Sequence, residues 1–167
     1  VDKTGTITKN EMEICELINL CGSDSVSDHQ LEELISDFVS ALDNDNITME
    51  AMKAYFVSTT DRHCRSKYGF SSTYKYSAVE FSEGNYVLGA PEFVLRDQYE
   101  KYQRKVEELS LAGKRVLIFG EYKGGLTGKE LISEVIPMAF ITLINPIRDN
   151  AKQTFQYFTE QGVRIKV

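Results

Sequence analysis

The stretch YKYSAVEFSEGNYVLGA, residues 74–90, decides the fold class of this sequence. It contains two runs of strand-forming residues, and the residues Ser-Glu-Gly-Asn at 82–85 join them. This pattern predicts a β-hairpin of adjacent antiparallel strands, with Gly84 or Asn85 at a positive φ. The overlapping segment FSSTYKYSAV, residues 70–79, predicts that the first strand also carries Phe70 and Lys75.

Helical patterns lie on both sides of this hairpin. Segments 27–42 and 44–58 each combine a capping residue with apolar residues at helical spacing. A third helix is expected after the hairpin, and a fourth presents Val106, Leu109 and Leu111 before it ends at a glycine. The expected boundary residues are Ser27 or Asp28 for the first helix, Thr48 for the second, Pro91 for the third and Gly113 for the fourth.

Further strands are expected before and after these helices. The pattern of residues 12–20 fits a strand or a helix, and the strand is favoured. Residues 114–122 have a strand pattern, and the apolar run 135–144 is typical of a buried strand. A helix ended by Gly162 and a last strand at 163–167 follow, and this strand-helix-strand order is typical of a parallel sheet. The loop KGGLTGKE at 123–130 lacks the spacing of a phosphate-binding loop and is interpreted as a solvated turn.

Composition excludes several classes of function. The 167 residues carry a net charge of −6 with interleaved signs, so neither a nucleic-acid groove nor an anionic membrane surface is supported as a partner. Cys15, Cys21 and Cys64 form no paired set, and His29 and His63 are too far apart to predict a zinc site. No apolar run is long enough to span a membrane. The start at Val1, without a methionine, suggests a piece of a longer protein.

Residues 2–8, DKTGTIT, place a carboxylate beside a lysine and ahead of a glycine. A carboxylate can attack a phosphoryl group to give an acyl phosphate when nearby cations neutralise the charge. An Asp-Lys pair alone would be an ordinary exposed turn. The whole heptapeptide resembles the phosphorylation motif of the P-type ATPases. The resemblance implies catalytic roles for Asp2, Lys3 and Thr4, and Mg²⁺ ligation by Asp2 and Thr4.

Other segments match the same family in the expected order. Phe70 with Lys75 resembles the motif F-[ST]-S-x-x-K, in which the ring stacks on adenine and the lysine lines the same pocket. LGAPE at 88–92 is similar to the motif KGAPE, and Arg115 in GKRVL matches an arginine that reaches the nucleotide phosphates. The resemblance therefore implies an ATP site formed by Phe70, Lys75, Gly89, Ala90, Arg115 and Arg148.

Simple physical chemistry supports these roles. Stacking on a base contributes about 1–3 kcal/mol and tolerates any base. Arg115 can form a charge-assisted hydrogen bond to a phosphate. Gly89 and Ala90 are small enough to admit a ligand close to the backbone. Taken singly, Phe70 could instead be ordinary core, Lys75 a solvated strand lysine, and Arg115 a surface partner of Glu107 or Glu108.

Two positions depart from the family pattern. Leu88 replaces the lysine of KGAPE, which removes a cation near the nucleotide. Asn145 replaces the carboxylate of the motif DPxR, whereas the arginine of that motif is kept as Arg148. A leucine before GAPE also resembles a bacterial group of cation transporters linked with calcium. The His-Pro dipeptide of the metal-specific branch and the KGAD of lipid flippases are absent from this sequence.

The expected fold is α+β, a twisted, mainly antiparallel sheet flanked by helices, with incomplete Rossmann-like segments at both ends. Residues 1–9 begin the phosphorylation domain, 10–136 form the nucleotide-binding domain, and 137–167 return to the phosphorylation domain. The parent is expected to be a cation-transporting ATPase at the cytoplasmic face of a membrane. This chain is expected to contact the parent's remaining phosphorylation, actuator and transmembrane domains, and to bind ATP without turnover, because further motif carboxylates for Mg²⁺ do not occur in it.

Three other readings remain open. The first is a soluble phosphatase of the haloacid-dehalogenase type, which would need an acid at position 4, where this sequence has Thr4. The second is a phospholipid-translocating P-type ATPase. A pure interaction module is a third class, and it predicts that removal of the Phe70 ring leaves ATP binding unchanged.

Overall fold

One antiparallel sheet organises the chain in this computed structural model, which describes residues 1–22 and 24–167. The strands are β1 Glu13–Asn19, β2 Cys64–Tyr68, β3 Tyr76–Phe81, β4 Gly84–Gly89, β5 Arg115–Tyr122 and β6 Val135–Ile144. The helices are α1 Asp28–Ala41, α2 Ile47–Tyr55, α3 Pro91–Leu95, α4 Tyr99–Leu111 and α5 Ala151–Glu160. The strand order is β1-β6-β5-β4-β3-β2, and every neighbouring pair is antiparallel. The predicted α+β fold with a mainly antiparallel sheet is confirmed.

Alternating residues of the strands divide the interior into two cores. On one face α1 and α2 cover the sheet, and Phe38 meets Phe119 edge to face at a centroid distance of 5.3 Å. On the other face α3 and α4 pack on the sheet around the fully buried Phe140. Leu111, which was expected to share the buried face of α4, is exposed.

The predicted hairpin is present, but its details differ from the prediction. β3 pairs with β4 in a register that joins Phe81 to Gly84, and neither Gly84 nor Asn85 has a positive φ. β3 begins only at Tyr76, so the expectation that Phe70 and Lys75 lie on that strand is wrong. The turn between Phe70 and Lys75 is closed by local backbone hydrogen bonds, and these take the place of strand pairing. Sequence reasoning also missed β2, the edge strand beside β3.

Helix boundaries follow the capping residues with one exception. Ser27 caps α1 in a reciprocal capping box with Gln30, and Pro91 occupies the first turn of α3. The cap of α2 is Asn46, whose side-chain oxygen accepts a hydrogen bond from the Met49 amide at 2.8 Å. The predicted cap Thr48 therefore lies inside the helix, and its hydroxyl group is available for another partner.

The prediction of a parallel strand-helix-strand unit at the C-terminal end is wrong. β6 is antiparallel to both of its neighbours, β1 and β5. Because both edges of β6 are occupied, a strand at 163–167 cannot pair beside it, and residues 163–167 form none. β6 also runs across the predicted division between residues 136 and 137.

The loop at 123–130 is anchored, whereas a solvated turn was expected. The Tyr68 hydroxyl group donates to the carbonyl oxygen of Leu126 at 3.2 Å, and the Tyr76 hydroxyl group donates to that of Lys129. Burial raises the pKa of Tyr76, which extends the pH range over which this donor stays protonated. An added Cβ at Gly128 would lie 2.9 Å from the Tyr68 ring, so the loop packs closely on β2.

Candidate functional site

A cleft of about 440 Å³ opens beside the turn that precedes β3. Its walls are this turn, the end of β4, the start of β5 and the first turn of α2. Of the six residues expected to bind ATP, the structure brings five to this cleft: Phe70, Lys75, Gly89, Ala90 and Arg115. Sequence reasoning missed its other polar lining residues, Asn46, Thr48 and Ser77.

Phe70 is one of the residues that line this cleft. The residue is 50% exposed, so it is not part of either core. An exposed aromatic ring beside a cleft offers a flat apolar surface on which a base can stack.

Lys75 holds the turn in place through its backbone. Its φ is 61°, a conformation that costs a residue other than glycine roughly 1 kcal/mol or more. Its amide donates to the carbonyl oxygen of Ser71 at 2.8 Å, and its carbonyl oxygen accepts from the Ala90 amide at 2.9 Å. These bonds attach the turn to the end of β4 and fix the positions from which Phe70 and Lys75 reach the cleft.

Gly89 is required by the neighbouring strand. A Cβ at Gly89 would lie 2.8 Å from the Cα of Tyr76 and closer still to the carbonyl oxygen of Lys75. The backbone leading into β3 occupies the space beside Gly89, so strand packing is sufficient to explain a glycine at this position.

Arg115 reaches the cleft from the first residue of β5. Its Nη1 donates to the Thr48 hydroxyl oxygen at 3.0 Å, so its partner is on α2 and not among the glutamates of α4. Leu88, at the position of the motif lysine, is buried in the core below the cleft. Arg115 and Lys75 are the cationic residues that line this cleft.

A second cavity of about 420 Å³ adjoins the cleft, and Ala90 and Arg115 line both. Lys3 and Lys114 also line the second cavity, together with one carboxylate, that of Glu92. Lys114 is paired with Glu16 at an N–O distance of 3.2 Å. The positive side chains thus continue from the cleft toward the segment 2–8, which suits an anionic tail that extends away from a base bound at Phe70.

The segment 2–8 forms a tight loop closed by Thr8. The Thr8 side chain is buried, and its hydroxyl group donates to the carbonyl oxygen of Lys3 at 3.2 Å and accepts from the Gly5 amide at 3.3 Å. Gly5 has a φ of 79°. Asp2, Lys3 and Thr4 are exposed on this loop.

Asp2 and Thr4 do not by themselves form a magnesium site. Mg²⁺ takes an octahedral set of oxygen ligands, and these two residues supply at most a small part of it. Among residues 1–22 and 24–167, no cluster of three or more acidic, histidine or cysteine side chains could hold a metal ion.

Arg148 does not line the cleft or the adjoining cavity. Its Nη2 donates to the carbonyl oxygen of Gly5 at 2.6 Å, and its Nε donates to that of Thr8 at 3.3 Å. It lines a groove on another side of the loop, with Thr6 and Ile7. The structure therefore separates Arg148 from the other five residues expected to bind ATP.

Asn145 joins the end of β6 to the chain that enters β1. Its side-chain amide donates to the carbonyl oxygen of Glu11 at 2.8 Å. An aspartate at this position cannot donate this bond, and its charge would face a carbonyl oxygen.

We expect Asn145→Asp to lower the free energy of unfolding by about 1–2 kcal/mol, because a hydrogen bond is replaced by repulsion. Urea denaturation followed by circular dichroism measures this change. Asn10→Asp is the matched control, because Asn10 is exposed on the same junction and the added charge is equal. Equal effects of the two substitutions would contradict the structural role of the Asn145 amide.

Comparisons with known proteins fit this geometry. No family model matches the chain. The calcium-transporting ATPase CtpE of Mycobacterium tuberculosis is 32% identical over 171 residues, and the match covers 99% of this chain and 21% of that protein. A probable cation-transporting ATPase of Streptococcus pneumoniae, exp7, is 26% identical over 170 residues, with 100% of this chain and 21% of that protein covered.

Solved structures show the same fold. A zinc-transporting PIB-type ATPase, in its E2.Pi state, superposes with a TM-score of 0.65 at 16% sequence identity. The superposition covers 98% of this chain and 24% of that protein.

The fold is shared with a solved P-type ATPase, and the chain aligns along its whole length with bacterial cation-transporting ATPases. The chain belongs to the P-type ATPase family, and the two bacterial relatives are cation-transporting members by name. It spans about a fifth of the length of those relatives, 21% in each case. None of the helices in the described part of the chain has the length and apolar character needed to cross a membrane.

Proposed function

We propose that this chain is the ATP-binding part of a cation-transporting P-type ATPase. The adenine ring stacks on Phe70, and Lys75 and Arg115 hold the phosphates. The observation that carries this proposal is the cleft itself, because it collects an exposed ring, two cations and the Gly-Ala turn from separate segments of the sequence.

The direction of the nucleotide follows from charge. A base at Phe70 occupies the apolar end of the cleft, and the phosphates extend past Ala90 and Arg115 toward the adjoining cavity. Lys3 lines that cavity and precedes Thr4 in the loop that begins at Asp2. The triphosphate of a bound ATP is thereby directed toward the carboxylate proposed to accept its last phosphoryl group.

In the parent protein we assign Asp2 as the nucleophile. An oxygen of its carboxylate forms a bond to the γ-phosphorus of ATP, and the bond from that phosphorus to the β,γ-bridging oxygen breaks. The electron pair of the broken bond leaves with ADP, and the acyl phosphate remains on Asp2. Mg²⁺, when bound by the parent, supplies charge neutralisation for this transfer, and the energy of the acyl phosphate drives cation transport.

The proposal also assigns the residues of the chain to two domains. Residues 1–9 belong to the phosphorylation domain, and the cleft belongs to the nucleotide-binding domain from residue 10 onward. Because β6 pairs along its length with β5, we place the return to the phosphorylation domain after Ile144 and not after residue 136. The remaining phosphorylation, actuator and transmembrane domains are the proposed partners, and the chain faces the cytoplasm.

Titration of the chain with ATP, followed by amide chemical shifts, tests nucleotide binding. We expect perturbations at Phe70, Lys75, Ala90 and Arg115. Shifts that stay unchanged at these residues up to millimolar ATP would reject the proposal.

Arg115→Met is expected to weaken ATP binding about tenfold or more, because a charged hydrogen bond to phosphate contributes roughly 1.5–3 kcal/mol. Adenosine carries no phosphate, so its affinity should stay within about twofold of that of the wild type. Isothermal titration calorimetry with both ligands measures the two effects. Arg65→Met, at an exposed position on β2, is the control. Equal losses for ATP and adenosine would show that Arg115 does not act on the phosphates.

A further inference from the structure

We propose that Arg148 is a positioning residue for the loop 2–8, and that it does not bind the nucleotide. Its guanidinium group fixes the backbone of the loop that carries Asp2 by donating to the carbonyl oxygens of Gly5 and Thr8. This inference rests on the proposed role of Asp2 as the nucleophile.

The exposed residues of the loop, Asp2, Lys3 and Thr4, have few side-chain contacts that hold them in place. Within the described residues, the side chains of Asp2, Lys3 and Thr4 form no hydrogen bond or ion pair with other side chains or the backbone. Gly5 follows them in a left-handed conformation, which glycine adopts without the steric cost of a side chain. Thr8 closes the loop internally, and Arg148 is the residue that ties the Gly5 carbonyl to another segment.

Arg148 is itself held on both sides. Its amide donates to the carbonyl oxygen of Ile7 at 2.9 Å, and its carbonyl oxygen accepts from the Ala151 amide at the start of α5 at 3.0 Å. Its neighbour Ile147 forms an antiparallel bridge with Thr8. The guanidinium group therefore extends from a fixed backbone, and it sets the separation of two loop carbonyl groups.

The shape of the arginine side chain matters for this role. A planar guanidinium group donates in fixed directions to two separate oxygens, whereas an ammonium group is a compact point charge on a flexible stem. Lysine at position 148 keeps the charge but cannot hold both carbonyl oxygens in the same geometry. A comparison of Arg148→Lys with Arg148→Met therefore distinguishes the effect of the side-chain geometry from the effect of its positive charge.

The test uses the full-length ATPase that contains this chain and [γ-³²P]ATP. The rate of phosphoenzyme formation is measured at saturating ATP, and the half-saturating ATP concentration is measured separately. For Arg148→Met we expect the saturated rate to fall about 10- to 100-fold, because small displacements of a reacting group have effects of this size. We expect half-saturation to stay within about twofold, and Arg148→Lys to lose rate as well. Arg104→Met, exposed on α4, is the control and should match the wild type.

Two outcomes would overturn the inference. A rise in half-saturating ATP with an unchanged saturated rate would assign Arg148 to the nucleotide. A normal rate in Arg148→Lys would show that charge alone suffices. Hydrogen exchange adds a direct readout. Compared with the wild type, the Arg148→Lys variant is expected to exchange faster in residues 2–8 and at an unchanged rate in β3 and β4. Phosphorylation that persists in Asp2→Asn would instead refute the proposed function, independently of Arg148.

Discussion

Replacing Phe70 with alanine is expected to weaken ATP binding roughly 5- to 150-fold, which corresponds to about 1–3 kcal/mol of base stacking. The residue is 50% exposed and lies outside both cores, so the fold should be retained. Calorimetric titration with ATP measures the loss, and thermal denaturation verifies that the variant is folded. Phe70→Tyr keeps a flat ring and should bind nearly as the wild type does.

Phe93→Ala is the matched control for this prediction. Phe93 is also an exposed aromatic residue, 49% exposed, but it lines a different cavity with Tyr74 and Arg96. Its removal should leave ATP affinity unchanged. If Phe70→Ala binds ATP as tightly as Phe93→Ala does, the base does not stack on Phe70, and an interaction module becomes the better interpretation of the chain.

Gly89→Ala is expected to lower the free energy of unfolding by about 3 kcal/mol, the upper end of the range for overpacking. The added methyl group would meet backbone atoms of Lys75 and Tyr76, which cannot rotate away as a flexible side chain can. The turn that presents Phe70 and Lys75 must then separate from the end of β4. ATP affinity should therefore fall together with stability.

Gly125→Ala serves as the comparison for this substitution. Among the described residues nothing lies within 4 Å of a Cβ at Gly125, and its φ is not positive. Its effect on unfolding in urea should be within about 0.5 kcal/mol. A similarly small effect of Gly89→Ala would show that β3 and β4 separate easily at this point, and that the turn is not fixed as described.

Local signals predicted the elements whose causes are local. Ser27 with Gln30, and Pro91 at a first turn, satisfy or avoid backbone donors within a few residues, so the sequence is enough to find them. The cap of α2 was misplaced because Asn46 and Thr48 are both good capping residues two positions apart. The sequence alone does not show which of the two residues caps the helix.

Features that depend on distant partners were not predictable in this way. The turn that ends at Lys75 is stabilised by Ala90 across the hairpin, so the strand pattern of residues 70–79 gives no sign of it. β6 has the apolar composition of a parallel strand, yet its two neighbours in the sheet make it antiparallel. The location of Arg148 follows from the path of the chain after β6, which its motif does not describe.

The resemblance supplied the candidate cleft residues, and the structure shows their physical arrangement. Phe70 and Arg115 come together because β4 lies between β3 and β5 in the sheet. The partner of Arg115 on α2, Thr48, could have been suspected only from its place beside a cap, since no charge marks it. Polar residues that serve a site through neutral hydrogen bonds leave a weak signal in a single sequence.

The most direct measurement of the central claim is a nuclear Overhauser experiment on the chain with bound ATP. We expect magnetisation transfer between the adenine H2 and H8 protons and the ring protons of Phe70, because the protons of stacked rings lie within the distance range of this effect. Phe93 should show no transfer. Adenine contacts to residues outside the cleft, with none to Phe70, would contradict the account.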